Sequence, residues 1–424
     1  FKYWDFDLAR SERLPRRGVK EYVGDVRDAL QKAVSAELIS DVPVGVLLSG
    51  GTDSSAVAAC AAQAVSGPLN TFTLGFSEPS FDESQHARAV ARALGARHHH
   101  MTATPADALK VIDALPTLID EPLGDSSFIP TFLISRFARE HVKVVLGGDG
   151  GDELFGGYPT LQAHRVARAL NLLPSGFWNL AGRALSHVPT SMDYLSLDFK
   201  VKRFVKGMPY PSPYRHHVWL GSLDPAEARS LLARDFVGSL HAVDPFDDIT
   251  RQMRGCGASR LLNQIMYLDT KLYLEGDILT KVDRASMACS LETRVPLLNS
   301  FMLDVAESLP LDLKIRGLTR RYAFREAVRG LVPEPILKRP KQGFNMPVAH
   351  WIRGPLRGLV LDALSPDRLR RQGLFDPPRI EHLLQEHFQG RRDNRKVLWT
   401  LLMFQVWHEH QIENHTRPAS PVPA

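Results

Sequence analysis

The sequence predicts an α/β fold: a parallel, doubly wound sheet covered by helices on both faces and followed by a largely helical C-terminal part. Three observations predict it. Apolar runs such as "VPVGVLL" and "VKVVLGG" alternate with stretches of helical spacing over about the first 165 residues. Two glycine-rich loops each follow an apolar run directly, where the C-terminal end of a parallel strand presents ligands. From about residue 166 onward helical spacing prevails, broken by the proline-rich "MPYPSPY" and "LVPEPILKRPKQGF".

Taken in order, residues 21–38 place Val23, Val26, Leu30, Val34 and Leu38 on one helical face. A strand near 44–48 follows, then a helix over about 54–66, whose "AVAACAAQAV" lacks any strand alternation. "LNTFTLGF" is rich in β-formers and reads as the next strand, and "ESQHARAVARALG" as the helix after it. "HHHMT" reads as a short strand and "PADALKVIDAL" as a helix. A second helix through "IPTFLISRFARE" leads into the strand "VKVV". The tail "RPASPVPA" reads as frayed.

A chain of 424 residues with 44% hydrophobic residues can bury a large core. The formal charge of +5 is small for this length, although arginines crowd "RLRRQG" and "GRRDNRK". It favours small anionic substrates or an acidic partner over nucleic acid. Cys60, Cys256 and Cys289 are far apart with no C-x-x-C pair, so neither a disulfide framework nor a cysteine zinc site is expected, and a reducing cytoplasm fits. The uncharged stretch from Ser54 to Ser77 is interrupted by Gln63, Gly67, Pro68 and Asn70, which argues against a membrane span.

The first loop, "VLLSGGTDSS", offers backbone N–H groups at a helix start and the hydroxyls of Ser49, Ser54 and Ser55. Such a loop suits an anion. It is not a Walker A loop, because the chain contains no Gly-Lys pair, and it lacks the G-x-G-x-x-G spacing of a dinucleotide site. Asp53 would repel a phosphate unless a divalent cation lay between them, which argues for Mg²⁺. The second loop, "LGGDGGDELFGGY", packs Asp149, Asp152 and Glu153 among six glycines. Clustered acids at a strand end call for a cation or a positively charged substrate, and EF-hand spacing is absent.

The motif S-G-G-x-D-S resembles the pyrophosphate loop of the N-type ATP pyrophosphatases, which cleave ATP to AMP and pyrophosphate. Beyond it, "DEPLGDSSFIPT", "GGDGGDELFGGY", "TKVDRASMACSLETRVPLLN", "LKRPKQGF" and "GRRDNRKVLWTLLMFQVW" resemble, in order, the synthetase domain of the glutamine-dependent asparagine synthetases. The resemblance covers nearly all of the chain after about residue 20. It implies a sheet of the adenine nucleotide alpha hydrolase-like type, with residues 1–20 as a junction from an N-terminal glutaminase domain. Residues 21–424 would form the synthetase domain, its nucleotide-binding core over about 21–165 and a helical remainder over about 166–424.

Position by position, the resemblance implies that Asp53 and Asp152 bind Mg²⁺ on ATP. Ser49, Gly50, Gly51, Ser54 and Ser55 would cradle pyrophosphate, and Leu47 and Gly148 would contact the adenosine. Asp149 stands where many of these synthetases carry the glutamate linked to ammonia attack, and its shorter side chain keeps the carboxylate closer to the backbone. Lys341 would steady the charge at the α-phosphate, while Glu292 and Arg294 would line the acyl side or form a structural ion pair.

The expected activity is ATP-dependent adenylation of a carboxylate, aspartate above others, with release of pyrophosphate and then amide formation with ammonia. That ammonia would come from a glutaminase domain, a separate partner or solution. A β-lactam synthetase-like enzyme or another adenylating amidotransferase is the alternative, and a catalytically silent nucleotide sensor would be expected to lack Asp53, Asp152 or Lys341. No nucleic-acid or membrane partner is expected, and a homodimer is among the assemblies the resemblance allows. "HHH" at 98–100 does not read as a metal site, because successive strand residues face opposite ways. "WHEHQIENH" lacks H-E-x-x-H spacing, and Cys289 reads as a core thiol.

Overall fold

The apolar stripe of residues 21–38 does form a helix, α1 (Val19–Glu37), which buries Tyr22, Val26, Ala29, Leu30, Ala33 and Val34. Then come β1 (Val44–Leu47), α2 (Thr52–Ala64), β2 (Asn70–Phe76), α3 (Ser84–Ala93), β3 (Arg97–Ala103), α4 (Pro105–Ala114), α5 (Phe128–Arg139) and β4 (Val144–Leu146). This is the order expected from the alternation of apolar runs and helical spacing. The structure is a computed structural model and describes residues 3–186, 188, 191, 196–240, 244–340 and 342–413.

After β4 the chain is mainly helical. The short α6 (Gly151–Phe155) leads to α7 (Pro159–Leu170), α8 (Ser175–Ser186), α9 (Leu197–Gly207) and α10 (Ser212–Leu220), which share a small core of Ala167, Trp178, Val205, Met208 and Trp219. A π-helical stretch, Asp269–Leu279, runs into α11 (Thr280–Met287). Two departures from helix follow. Strand β5 (Glu292–Arg294) joins the main sheet, and β6 (Ile315–Arg316) pairs antiparallel with β7 (Thr319–Arg320) ahead of α12 (Tyr322–Ala327).

All five strands of the main sheet are parallel, in the order β3-β2-β1-β4-β5. The fifth strand comes from the stretch expected to be the helical remainder. Three residues, "ETR", are too few to show a period of two, so their strand character is set by pairing with Val144–Leu146 and not by local pattern. Alternation along the strands separates two cores. Val46 and Leu146 pack with α1 and α2, whereas Phe72, Leu74 and Val145 pack with α5 and the C-terminal helices.

The strand order fixes where a ligand sits. From β1 the chain builds outward through β2 and β3, then returns to lay β4 on the other side of β1. The C-terminal ends of β1 and β4 therefore flank the topological switch point, where adjacent loops diverge and leave a crevice. Both glycine-rich loops emerge there.

One buried group near the hairpin is unrelated to that crevice. The Lys314 side chain is fully buried and its Nζ has no hydrogen-bond partner. Burial, opposed by Glu307, lowers its pKa from 10.5 to about 7. The unfolded chain thus binds the extra proton between these values, so the wild-type protein gains stability as pH rises through that window. Lys314→Met is expected to stabilise the fold by about 2 kcal/mol at pH 7, because it removes an unsatisfied buried amine. Urea denaturation should show that gain shrinking as pH approaches 10.5.

Candidate functional site

The first loop folds on its own hydroxyls. Ser49 Oγ and Ser54 Oγ lie 2.9 Å apart, and the amides of Ser49 and Gly51 donate to Ser54 Oγ and Ser49 Oγ, each at 3.2 Å. No side chain caps the start of α2 at Gly51, so the first-turn amides keep their positive end toward the crevice. Gly50 turns through φ 74° and packs against α3.

The second loop is held by the neighbouring strand and by itself. Gly147 N donates to Arg294 O at 2.8 Å, and Gly157 N donates to Asp152 O at 2.8 Å. Tyr158 donates its hydroxyl hydrogen to Glu153, whose burial pushes the carboxyl up to about 7. The two loops touch where Gly148 lies against Ser54: a Cβ there would come within 2.7 Å of the Ser54 amide nitrogen.

Between the loops is a cleft of about 290 Å³. Leu47, Ser49, Gly51, Asp53 and Ser54 line it from the first loop, and Gly148, Asp149, Asp152 and Glu153 from the second. Gly50 and Ser55 of the expected cradle are outside this lining, and Ser55 is fully buried. Asp53 and Asp152 come together on one group. Nη1 of Arg321 donates to Asp53 Oδ2 and lies 3.3 Å from Asp152 Oδ1.

A single nitrogen in reach of both carboxylates puts them close enough to share one cation. Asp53 Oδ1 is buried without a hydrogen-bond partner, as a ligand atom for Mg²⁺ would be. Among the described residues no cluster of three or more metal-ligating side chains occurs. Two carboxylates are nonetheless the donor set of an Mg²⁺ that takes its other ligands from phosphate and water. The residues present therefore fit the ion.

Glu292 and Arg294 are not brought into the cleft. In β5 it is Thr293 that faces it, and the alternation of a strand turns its neighbours away. Arg294 Nε donates to Glu292 Oε1 at 2.6 Å, and its Nη1 donates to Glu37 O and Ile39 O, both at 2.7 Å. The pair fastens β5 to the end of α1. Glu292→Gln is expected to leave pyrophosphate release within about twofold of wild type, because a half-exposed ion pair contributes little. A large loss of turnover would restore the acyl-side assignment.

Lys341 lies outside the described residues. Its neighbours Pro340 and Gln342 line the cleft, and their segment is tethered to the first loop's surroundings. Arg339 Nη2 pairs with Glu83 Oε1 at 2.5 Å, Arg339 Nη1 donates to Gly50 O at 3.4 Å, and Gln342 Nε2 donates to Ser80 O at 2.9 Å.

Sequence reading missed three parts of the site. Arg321 sits in "LTRRYAF", where nothing distinguishes it from its neighbours. Lys281 donates to Asp125 Oδ2 at 2.9 Å and Ser127 Oγ at 2.8 Å, all three lining the cleft. Burial works against the Lys281 ammonium, but Asp125, Asp277 and Asp149 outweigh it and hold its pKa above the ordinary value. These residues lie in "DEPLGDSS" and "TKVDR", so their segments were legible and their roles were not. The third part, Tyr273 and Ile278, comes from the π-helical stretch, a geometry common at functional sites but invisible in sequence.

Comparison with known proteins finds relatives over most of the chain. The family model described as asparagine synthase matches residues 25–409. A protein of Bacillus subtilis (strain 168) named asparagine synthetase [glutamine-hydrolyzing] 1 is 31% identical over 398 residues, covering 93% of this chain and 60% of that protein. A putative asparagine synthetase [glutamine-hydrolyzing] of Mycobacterium bovis is 35% identical over 407 residues, covering 93% and 58%. Amidase chyE of Penicillium rubens is 25% identical over 430 residues, covering 91% and 61%. The chain thus spans about three-fifths of the length of these relatives.

Proposed function

The chain belongs to the asparagine synthase family, and from that premise we propose that it is the ATP-using half of an amide-forming ligase: it adenylates a carboxylate, expels pyrophosphate and passes the acyl group to ammonia. The observation that supports this most is the meeting of Asp53 and Asp152 on one cation beside the uncapped start of α2. A carboxylate does not react with ammonia at neutral pH because its oxygen leaves poorly. Conversion to a mixed anhydride with AMP supplies a good leaving group.

In this reading the amides at the start of α2 and the serine hydroxyls hold the β- and γ-phosphates, and Leu47 and Gly148 flank the adenosine. Asp53 and Asp152 hold Mg²⁺, which when bound offsets charge on the phosphates. Lys341 adds positive charge at the α-phosphate as the substrate carboxylate attacks in line. Pyrophosphate leaves toward α2, and Asp149 sits where ammonia would approach the acyl-adenylate.

Aspartate is the proposed acid, and the cleft wall suits an amino acid. Lys281 offers a cation to a carboxylate, while Asp125 offers an anion to an ammonium. The test is pyrophosphate release with a panel of carboxylic acids, with and without ammonia, followed by mass measurement of the product. Aspartate-dependent release that yields asparagine supports the reading. Release driven by another acid moves the chain to a different adenylating amidotransferase, and formation of ADP and orthophosphate refutes the adenylation chemistry.

A further inference from the structure

Arg321 occupies a place that a cation serving only the phosphates would not need. Its guanidinium is inserted between Asp53 and Asp152, and its side chain is 8% exposed. The backbone holds it there in the left-handed region, φ 52° and ψ 40°, at the N-cap of α12, a conformation that costs free energy for a residue with a Cβ. The residue before it, Arg320, donates to Gly157 O at 2.7 Å, which ties the β6–β7 hairpin to the second loop. Arg320 and Arg325 both lie within the electrostatic reach of Arg321, so positive charge crowds it.

We propose that in the nucleotide-free protein the Arg321 guanidinium closes the position between Asp53 and Asp152, and keeps a divalent cation out until that cation arrives with a polyphosphate. A metal ion and the guanidinium compete for the same pair of carboxylates. A metal ion alone must displace Arg321 and leave its charge beside Arg320 and Arg325 without a counter-charge. A metal bound to a polyphosphate brings that counter-charge with it. Metal and nucleotide therefore promote each other's binding, and the coupling is reciprocal. The inference rests on Asp53 and Asp152 as the metal ligands, and not on the adenylation step.

The experiment titrates Mn²⁺ into the full chain without nucleotide and follows free Mn²⁺ by electron paramagnetic resonance. Wild type, Arg321→Met and the double variant Arg321→Met with Asp152→Asn are compared, and the wild type is repeated with α,β-methylene-ATP. Arg321→Met is expected to bind Mn²⁺ at least tenfold more tightly than wild type, and the double variant to lose that gain. The analogue is expected to tighten Mn²⁺ binding to the wild type by at least tenfold. Wild type binding Mn²⁺ alone as tightly as Arg321→Met would overturn the proposal, as would a gain that survives Asp152→Asn. If Arg321→Met does not fold, Arg321→Lys carries the comparison: an ammonium makes fewer bonds to the two acids, so its Mn²⁺ affinity should still exceed that of wild type. Failure of the adenylation reading would appear separately, as absent pyrophosphate release with the Mn²⁺ pattern intact.

Discussion

Replacing Lys341 by alanine is expected to lower the rate of pyrophosphate release by about 10²–10³-fold while the apparent affinity for ATP changes only a few-fold. The expectation follows from when charge appears. In the proposed reading, ground-state ATP would already be met by the start of α2, by the serine hydroxyls and by the acid pair that would hold its metal. Additional negative charge at the α-phosphate develops only as the carboxylate attacks, and a cation that acts on that increment lowers kcat without weakening binding. Pre-steady-state release of pyrophosphate at saturating ATP and acid is the appropriate measurement, since it reports the chemical step apart from product release. Equal burst rates in Lys341→Ala and wild type would remove the lysine from the reaction.

The tether of its segment gives a second handle on the same step. Arg339 and Gln342 flank position 341 and reach Glu83, Gly50 and Ser80, so the segment is fixed to the loop that would hold the leaving group.

Much of this site was legible because its chemistry resides in contiguous loops. "SGGTDSS" and "GGDGGDELFGGY" each follow an apolar run, and a parallel sheet puts the ends of such runs on one edge. The structure adds that β1 and β4 are neighbours across the switch point, which brings Asp53 and Asp152 to one cation. What could not be read depends on chain folding over long separations. Arg321 is 268 positions from Asp53, and Lys281 is 156 from Asp125. Neither pairing leaves a periodic or local trace. Strand β5 illustrates the converse problem: "LETRVP" stood out as a motif, but the direction of its side chains depended on a three-residue strand that only its partner β4 defines. Once Thr293 faces the cleft, Glu292 and Arg294 must face away from it.

Gly148→Ala is expected to lower pyrophosphate release at least about 10²-fold, and this tests whether loop contact is what the reaction requires. The added Cβ would lie 2.7 Å from the Ser54 amide nitrogen, 2.9 Å from its Cα and 3.2 Å from the carbonyl carbon of Asp53. These are backbone atoms at the first turn of a buried helix, so no rotamer change relieves the overlap. One of the two loops must withdraw, which separates Asp53 from Asp152 and shifts the amides of α2 from the phosphates. Displacement of about 1 Å in such a site costs on the order of 10²-fold in rate. The overlap should also destabilise the fold by about 1–3 kcal/mol, as overpacking does, so turnover must be compared at a denaturant-free temperature where the variant is folded. Gly24→Ala is a suitable control, because a Cβ there meets nothing within 4 Å and the residue lies on α1, away from the cleft. Wild-type turnover in a folded Gly148→Ala protein would mean that the two loops need not touch, and the shared cation position would lose its geometric basis.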